Sequence, residues 1–192
     1  MTRLSAYLDT LKKTADDVVV SDQSSVRLDN DKTIARIIDL MRNGSINGNK
    51  IIFLGNGGSA AIASHMAIDY SKNGRLPAIS FNDGAALTCL GNDLGYESVF
   101  SEQIKLHAKP DDLLVAISSS GASTNILNAV AEARIVDCKI ITMSGFSEDN
   151  PLRHLGDVNW YVPSNEYGFV EITHLTLCHS FLDIFMGWNA RN

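Results

Sequence analysis

The sequence predicts an α/β protein, a three-layer sandwich with a parallel five-stranded sheet, preceded by N-terminal helices and closed by a C-terminal helix. Three observations carry that prediction. Short, continuous apolar runs recur from Lys50 onward, helically spaced segments separate them, and the stretches at either end of the chain read as helix alone. Unbroken apolar runs suit strands covered on both faces, and strictly alternating strands and helices imply a parallel sheet.

The elements follow in order. Leu4, Tyr7, Leu8, Leu11 and Ala15 recur at spacings of three and four, the stripe of a helix that buries one face. Asp31–Arg42 repeats the pattern through Ile34, Ile37, Ile38 and Met41, with Asn43-Gly44 as a C-cap. The polar Ser21–Ser25 stretch between them reads as a turn. Strands are expected at Ile51–Leu54, Ala78–Phe81, Leu113–Ser118, Lys139–Ser144 and Val158–Val162. Helices are expected near Ser59–Ser71, Ala85–Leu90, Ser98–Ala108, Ser123–Val136 and Val170–Trp188. Methionines and aromatic residues read as core.

Composition narrows the classes of function. At 192 residues one domain is the default, and 45% hydrophobic with 20% charged residues excludes a disordered chain. No apolar run is long enough to span a bilayer, so no membrane partner is expected. Sixteen basic against 22 acidic residues, without a basic stripe, argue against a nucleic-acid partner. The start of the chain does not read as a secretory signal. Cys89, Cys138 and Cys178 form no C-x-x-C pair, which suggests buried thiols in a reducing cytoplasm.

In parallel sheets ligands bind at the carboxyl ends of the strands. Gly55-Asn56-Gly57-Gly58-Ser59 stands at one such end, with glycines for a sharp turn and Ser59 as a cap or an anion donor. It also fits a plain strand-to-helix turn. Ser118-Ser119-Ser120-Gly121-Ala122-Ser123 is more telling, because a single serine suffices to cap a helix and this loop has four. Neutral donors at a helix start make a cradle for a phosphate dianion. Two such loops point to a sugar phosphate. Gly91-Asn92-Asp93 can take sugar hydroxyls or simply turn the chain.

His65 and Asp69, four apart on one helix, share a face and can reach one cation. Glu171 and His179 add a second carboxylate and imidazole, and the four together suit Zn²⁺. Residues eight apart on a helix are separated by roughly 12 Å and about 80°, which strains that joint set. Spacing alone favours a surface pair at His65–Asp69 and a packed His179, and His174 is a rival ligand. His107 and His154 read as surface.

Taken together, Gly55–Ser59, His65 six residues later, Gly91-Asn92-Asp93 and Ser118–Ser123 resemble the SIS (sugar isomerase) domain, and more closely the phosphoheptose isomerases. The resemblance spans roughly Lys50 to His179 and implies a flavodoxin-like SIS fold. Residues 1–192 then form a single domain, with 1–45 as helices packing on the core and a subunit interface, and 50–192 as the sugar-phosphate-binding core. It implies an aldose–ketose isomerase that converts sedoheptulose 7-phosphate to a D-glycero-D-manno-heptose 7-phosphate for bacterial lipopolysaccharide or capsule. It further implies a cytoplasmic homotetramer with sites between subunits and one Zn²⁺ per subunit.

Carried over residue by residue, the resemblance assigns Ser59, Ser118, Ser119, Ser120 and Ser123 to the phosphate. Asn56, Gly57, Gly58, Asn92, Asp93 and Glu171 fall to the sugar, and His65, Asp69, Glu171 and His179 to the metal. Asp69 is the expected base and His179 the expected acid. The chain departs from the family pattern at two of these positions. Asp69 stands where a glutamate is usual, and Glu171 where a glutamine is usual, within Phe169-Val170-Glu171-Ile172 in place of Arg-Ile-Gln-Glu. A non-catalytic sugar-phosphate-binding regulator, or an isomerase of another phosphosugar, are the other readings these departures leave open.

Overall fold

Residues 51–54, 113–117 and 140–143 are apolar almost without interruption because the strands they form are covered on both faces. The computed structural model describes residues 2–190. Its helices are α1 (Arg3–Asp16), α2 (Asn30–Ile46), α3 (Gly58–Lys72), α4 (Gly84–Leu94), α5 (Ser101–His107), α6 (Thr124–Ile135) and α7 (Tyr167–Phe185). The strands are β1 (Val19–Ser21), β2 (Ile51–Gly55), β3 (Ala78–Ser80), β4 (Leu113–Ser118), β5 (Lys139–Ser144) and β6 (Val158–Tyr161). They form one six-stranded sheet in the order β1-β6-β5-β4-β2-β3.

The five expected strands are all present and mutually parallel, with Phe53 paired to Val115 and Val115 to Ile141 across the centre. The sixth, β1, was not expected. It runs antiparallel along the β6 edge, Val19 opposite Tyr161 and Ser21 opposite Asn159. Three residues are too few to show a period, and pairing with β6 alone makes them a strand. The turn expected at 21–25 begins just after it, where Asp22 Oδ1 accepts from the N–H groups of Ser24 and Val26.

Alternate side chains of each strand feed two cores. On one face Ile51, Phe53, Val115, Ile117, Ile141 and Met143 pack with α2, α3 and α7 through Ile37, Met66, Tyr70, Val170 and Phe181. On the other, Ile52, Leu54, Leu114, Ala116 and Ile140 meet Phe100 just before α5, Ile104 of α5, and Ile126, Ala129 and Val130 of α6. Helix α1 lies outside this sandwich and docks on α7 through Tyr7, whose ring stands 4.6 Å from that of Phe169.

Some boundaries and burials differ from expectation. Helix α2 continues through Gly44 to Ile46, because Asn47 rather than Asn43 turns the chain. Helix α4 runs on to Leu94 and absorbs Asn92 and Asp93 into its last turn. Cys138 and Cys178 are buried, but Cys89 is exposed on α4. Several residues read as core are exposed, Tyr96, Tyr167, Met186 and Trp188 among them.

His174 is also settled by packing. It is wholly buried on α7, with Nε2 3.1 Å from the Ser144 carbonyl oxygen. A carbonyl only accepts, so Nε2 carries the proton, and Nδ1 is left buried without a partner. That geometry suits a neutral ring facing the sheet, and burial pushes its pKa down from 6.5 to about 4. The folded value lies below the unfolded one. The stabilisation is therefore complete above about pH 6.5 and is lost as the pH falls toward 4, about 3 kcal/mol over the window. In urea melts, stability should fall by about 2 kcal/mol between pH 7 and pH 5 on this account. His174→Gln should remove that part of the pH slope, and an unchanged slope would assign it to another group.

Candidate functional site

In chain order the parallel strands fan outward from a reversal between β2 and β4. Helix α3 leaves β2 toward one face and α6 leaves β4 toward the other, so a crevice opens above their carboxyl ends. Both glycine- and serine-rich loops lie there. Asn56, Gly57, Gly58 and Ser59 form one wall, Ser118, Ser119, Ser120 and Ser123 the other, and Tyr167 and Glu171 of α7 close the side. The cleft has a volume of about 240 Å³.

The helix starts at this cleft are left open. Helices α1, α2 and α4 begin on Thr2, Asp29 and Asp83, each accepting a first-turn N–H with its side chain. Helices α3, α6 and α7 have no side-chain cap and no acidic residue in the first turn. Ser123, the N-cap of α6, instead places Oγ 3.2 Å from Ser118 Oγ. Ser120 Oγ accepts from the Ala122 N–H at 3.3 Å. Ser119 Oγ is buried with no hydrogen-bond partner. Free N–H groups, the positive ends of helix dipoles and spare hydroxyls together suit an anion.

Asn56 is fixed by residues that sequence reasoning did not single out. Its Nδ2 donates to Asn125 Oδ1 at 2.8 Å, and Asn125 Nδ2 donates back to Asn56 Oδ1 at 3.0 Å. Tyr96 Oη donates to the same Asn56 oxygen at 3.0 Å. Asn125 and Tyr96 are remote from Asn56 in sequence, and no local spacing announces the contact. Tyr167 was missed for the same reason.

Glu171 lies beside Gly58 at the start of α3. A Cβ on residue 58 would come within 2.5 Å of both carboxylate oxygens, so glycine there is what leaves room for the carboxylate. One helix turn and more beyond, His65 and Asp69 of α3 meet His179 of α7. His65 Nε2 stands 3.6 Å from Asp69 Oδ2, and the His65 and His179 rings are 5.4 Å apart, edge to face. One donor atom from each of the three residues lies within 4.8 Å of the other two. Glu171 stands outside that group, so α7 presents its two candidate ligands to different places. The register of the two helices is held beside the cluster, where the buried Tyr70 hydroxyl donates to the Cys178 carbonyl at 2.9 Å. Tyr70 follows Asp69, and Cys178 precedes His179.

Asn92 and Asp93 do not line this cleft. They are exposed on α4, where Asn92 Nδ2 donates to Asp93 Oδ1 at 2.8 Å and Cys89 Sγ approaches Asp93 Oδ2 at 3.6 Å. His107 and His154 are exposed as expected, the latter with Nδ1 2.9 Å from Ser25 Oγ.

Comparison places this geometry among known proteins. Residues 17–145 match the SIS domain family. The phosphoheptose isomerase of Aliarcobacter butzleri is 42% identical over 144 residues, covering 72% of this chain and 76% of that protein. That of Helicobacter hepaticus is 38% identical over 157 residues, covering 79% and 80%. Among solved structures, phosphoheptose isomerase GmhA from Neisseria gonorrhoeae superposes with a TM-score of 0.83 at 28% identity, covering 97% of this chain and 98% of its own. A phosphoheptose isomerase from Francisella tularensis gives 0.81 at 28% identity, covering 98% and 100%.

The paired amides give a test of what fixes the first loop. In urea melts of Asn56→Ala, Asn125→Ala and the double variant, the two losses should be coupled by about 0.5–1.5 kcal/mol. Additivity would show that the loop is held by something else.

Proposed function

The chain belongs to the SIS-domain family and, within it, to the phosphoheptose isomerases, and from that premise we propose how its residues carry out an aldose–ketose isomerisation of sedoheptulose 7-phosphate to a D-glycero-D-manno-heptose 7-phosphate. The observation that supports the reading most directly is the pairing of an uncapped, serine-lined crevice with a His/Asp/His cluster on adjoining helices. The first suits the phosphate, the second the reacting end of an open-chain sugar.

The phosphate is assigned to Ser59, Ser118, Ser119, Ser120 and Ser123. The net charge is −6, so its attraction must come from these local dipoles. Binding energy at this end holds C1 and C2 in place for chemistry elsewhere. Asn56, Gly57 and Gly58 flank the sugar. Glu171 is assigned to sugar hydroxyls, because a carboxylate accepts their O–H groups and this one lies in the cleft rather than in the cluster.

The reaction moves a proton between C1 and C2 through an enediol and needs a base at carbon and an acid at oxygen. Asp69 is assigned as the base and His179 as the acid; a carboxylate tied to a metal is a poorer base, so ligand and base are alternating roles of Asp69. Two imidazoles and a carboxylate with mutually close donor atoms fit a Zn²⁺ site with an open position, held by His65, Asp69 and His179, one ion per subunit. When bound, the ion supplies Lewis-acid polarisation of the sugar oxygens. Asp69, one methylene shorter than the glutamate usual in the family, must then rely on α3 and α7 staying in register.

The reading includes a homotetramer with sites shared between subunits, in a cytoplasmic route toward lipopolysaccharide or capsule. Asn92 and Asp93, exposed and outside the lining of their own chain's cleft, are assigned to the site of a neighbouring copy. Exposed Leu4 and Leu8 on α1, Leu94 at the end of α4 and Tyr96 just after it supply apolar surface for such contacts, in a reading with 1–45 as interface helices and 50–192 as the catalytic core. Among the described residues no helix is long and apolar enough to cross a membrane.

The test is NMR of purified protein with sedoheptulose 7-phosphate, after chelation and again with added Zn²⁺. Conversion restored by the metal supports the assignment. Saturable binding without conversion, with turnover of another ketose phosphate, would move the substrate. In the same assay Asp69→Asn should lower kcat by about 10²–10⁴-fold while leaving binding intact, and near-normal turnover would remove Asp69 as base. Ser120→Ala should raise KM about tenfold with little change in kcat. An unchanged KM would count against the cradle.

A further inference from the structure

We propose that Asn150 is a positioning residue for this isomerase, a buried carboxamide behind the Ser118–Ser123 loop that sets the loop's turn at Gly121 and with it the affinity for the phosphate group. The proposal rests on the assignment of that loop to phosphate.

Gly121 sits at φ +62°, the left-handed conformation that glycine adopts without penalty. Its N–H donates to the Ser118 carbonyl at 3.0 Å, which closes the loop on itself. Two further backbone bonds tie the loop to the segment after β5. Leu152 N–H donates to the Gly121 carbonyl and Gly145 N–H to the Ser119 carbonyl, each at 3.0 Å. The cradle is therefore only as well placed as that segment.

Asn150 organises the segment. It is 2% exposed, and its Nδ2 donates to the Ser147 carbonyl at 2.8 Å, Ser144 Oγ at 3.1 Å and the Gly145 carbonyl at 3.3 Å. Its Oδ1 accepts from Arg153 N–H at 3.1 Å, capping the 3₁₀ turn Pro151–His154 that carries Leu152. The carboxamide also lies directly against Gly121, since a Cβ added there would fall inside it. One side chain thus joins the end of β5, the following turn and the back of the serine loop. Its role is indirect, because a cradle of neutral dipoles binds an anion only as well as those dipoles are aimed.

A matched control separates positioning from general stability. Asn159 is equally buried and makes a similar clamp, accepting from Thr142 Oγ1 at 2.7 Å and Gly156 N–H at 2.8 Å while Nδ2 donates to the Gly156 carbonyl at 2.9 Å. Those bonds secure the start of β6 and none reaches the serine loop. Inorganic phosphate binding by calorimetry, KM and kcat with sedoheptulose 7-phosphate, and thermal melts should be measured for wild type, Asn150→Ala and Asn159→Ala. Asn150→Ala should weaken phosphate binding and raise KM by about tenfold with kcat within about threefold. Asn159→Ala should lower the melting temperature and leave phosphate affinity and KM unchanged.

If wild type binds phosphate and Asn150→Ala binds it equally, or if Asn159→Ala shows the same loss, the proposal is wrong while the cradle stands. If wild type binds no phosphate, the cradle and this proposal fail together. Should Asn150→Ala not fold, Asn150→Ser is read by the same criteria.

Discussion

A parallel sheet whose strand order reverses between β2 and β4 forces their helices to opposite faces, and the rest of this molecule's chemistry follows from that divergence. Where α3 and α6 part, a crevice of about 240 Å³ opens above the strand ends, and the starts of both helices border it. Capping them internally would stabilise each helix by about 1 kcal/mol. The chain caps α1, α2 and α4 in that way and leaves α3, α5, α6 and α7 without a side-chain cap. Of these, α3, α6 and α7 start beside the cleft, so spare donors stand where an anion can use them.

The His/Asp/His cluster depends on a different contact, the packing of α3 against α7. His65 and Asp69 share a face of one helix by periodicity alone, but His179 joins them only because α7 lies alongside in a fixed register. Tyr70 contributes to that register at the adjoining residue pair, its hydroxyl bonded to the Cys178 carbonyl inside the core. Phe181 and Leu182 anchor the helix further along. For Asp69 as the proposed base, this precision matters more, since small displacements at a reacting centre are costly in rate. Cradle and cluster are thus positioned by separate parts of the core, and Glu171 lies toward the cradle side of α7.

Much of this was legible in the sequence. The five parallel strands appear as unbroken apolar runs because both faces are covered. The two loops appear as glycine and serine at strand ends because close turns and spare donors require those residue types. What stayed hidden has a common cause. β1 is three residues long and is a strand only because β6 offers an edge. Asn125, Tyr96 and Asn150 act through partners far away in the chain or on another loop, and no periodicity encodes such a meeting. Asn92 and Asp93, which local sequence leaves as sugar contacts or a turn, continue helix α4 up to its C-cap at Gly95.

Local sequence is enough to define the layer architecture, the serine-rich loop at a strand end and the types of residue available for proton transfer and metal binding. These depend on local pattern and side-chain chemistry, which neighbours along the chain suffice to define. Tertiary structure alone decided which of them meet. It set His179 against His65 and Asp69, placed Glu171 beside Gly58, and turned His174 into the core against Ser144. The physical reason is that α7 can present each face to only one surroundings, and the rotation it adopts is the one that buries Val170, Cys178 and Phe181 against the sheet.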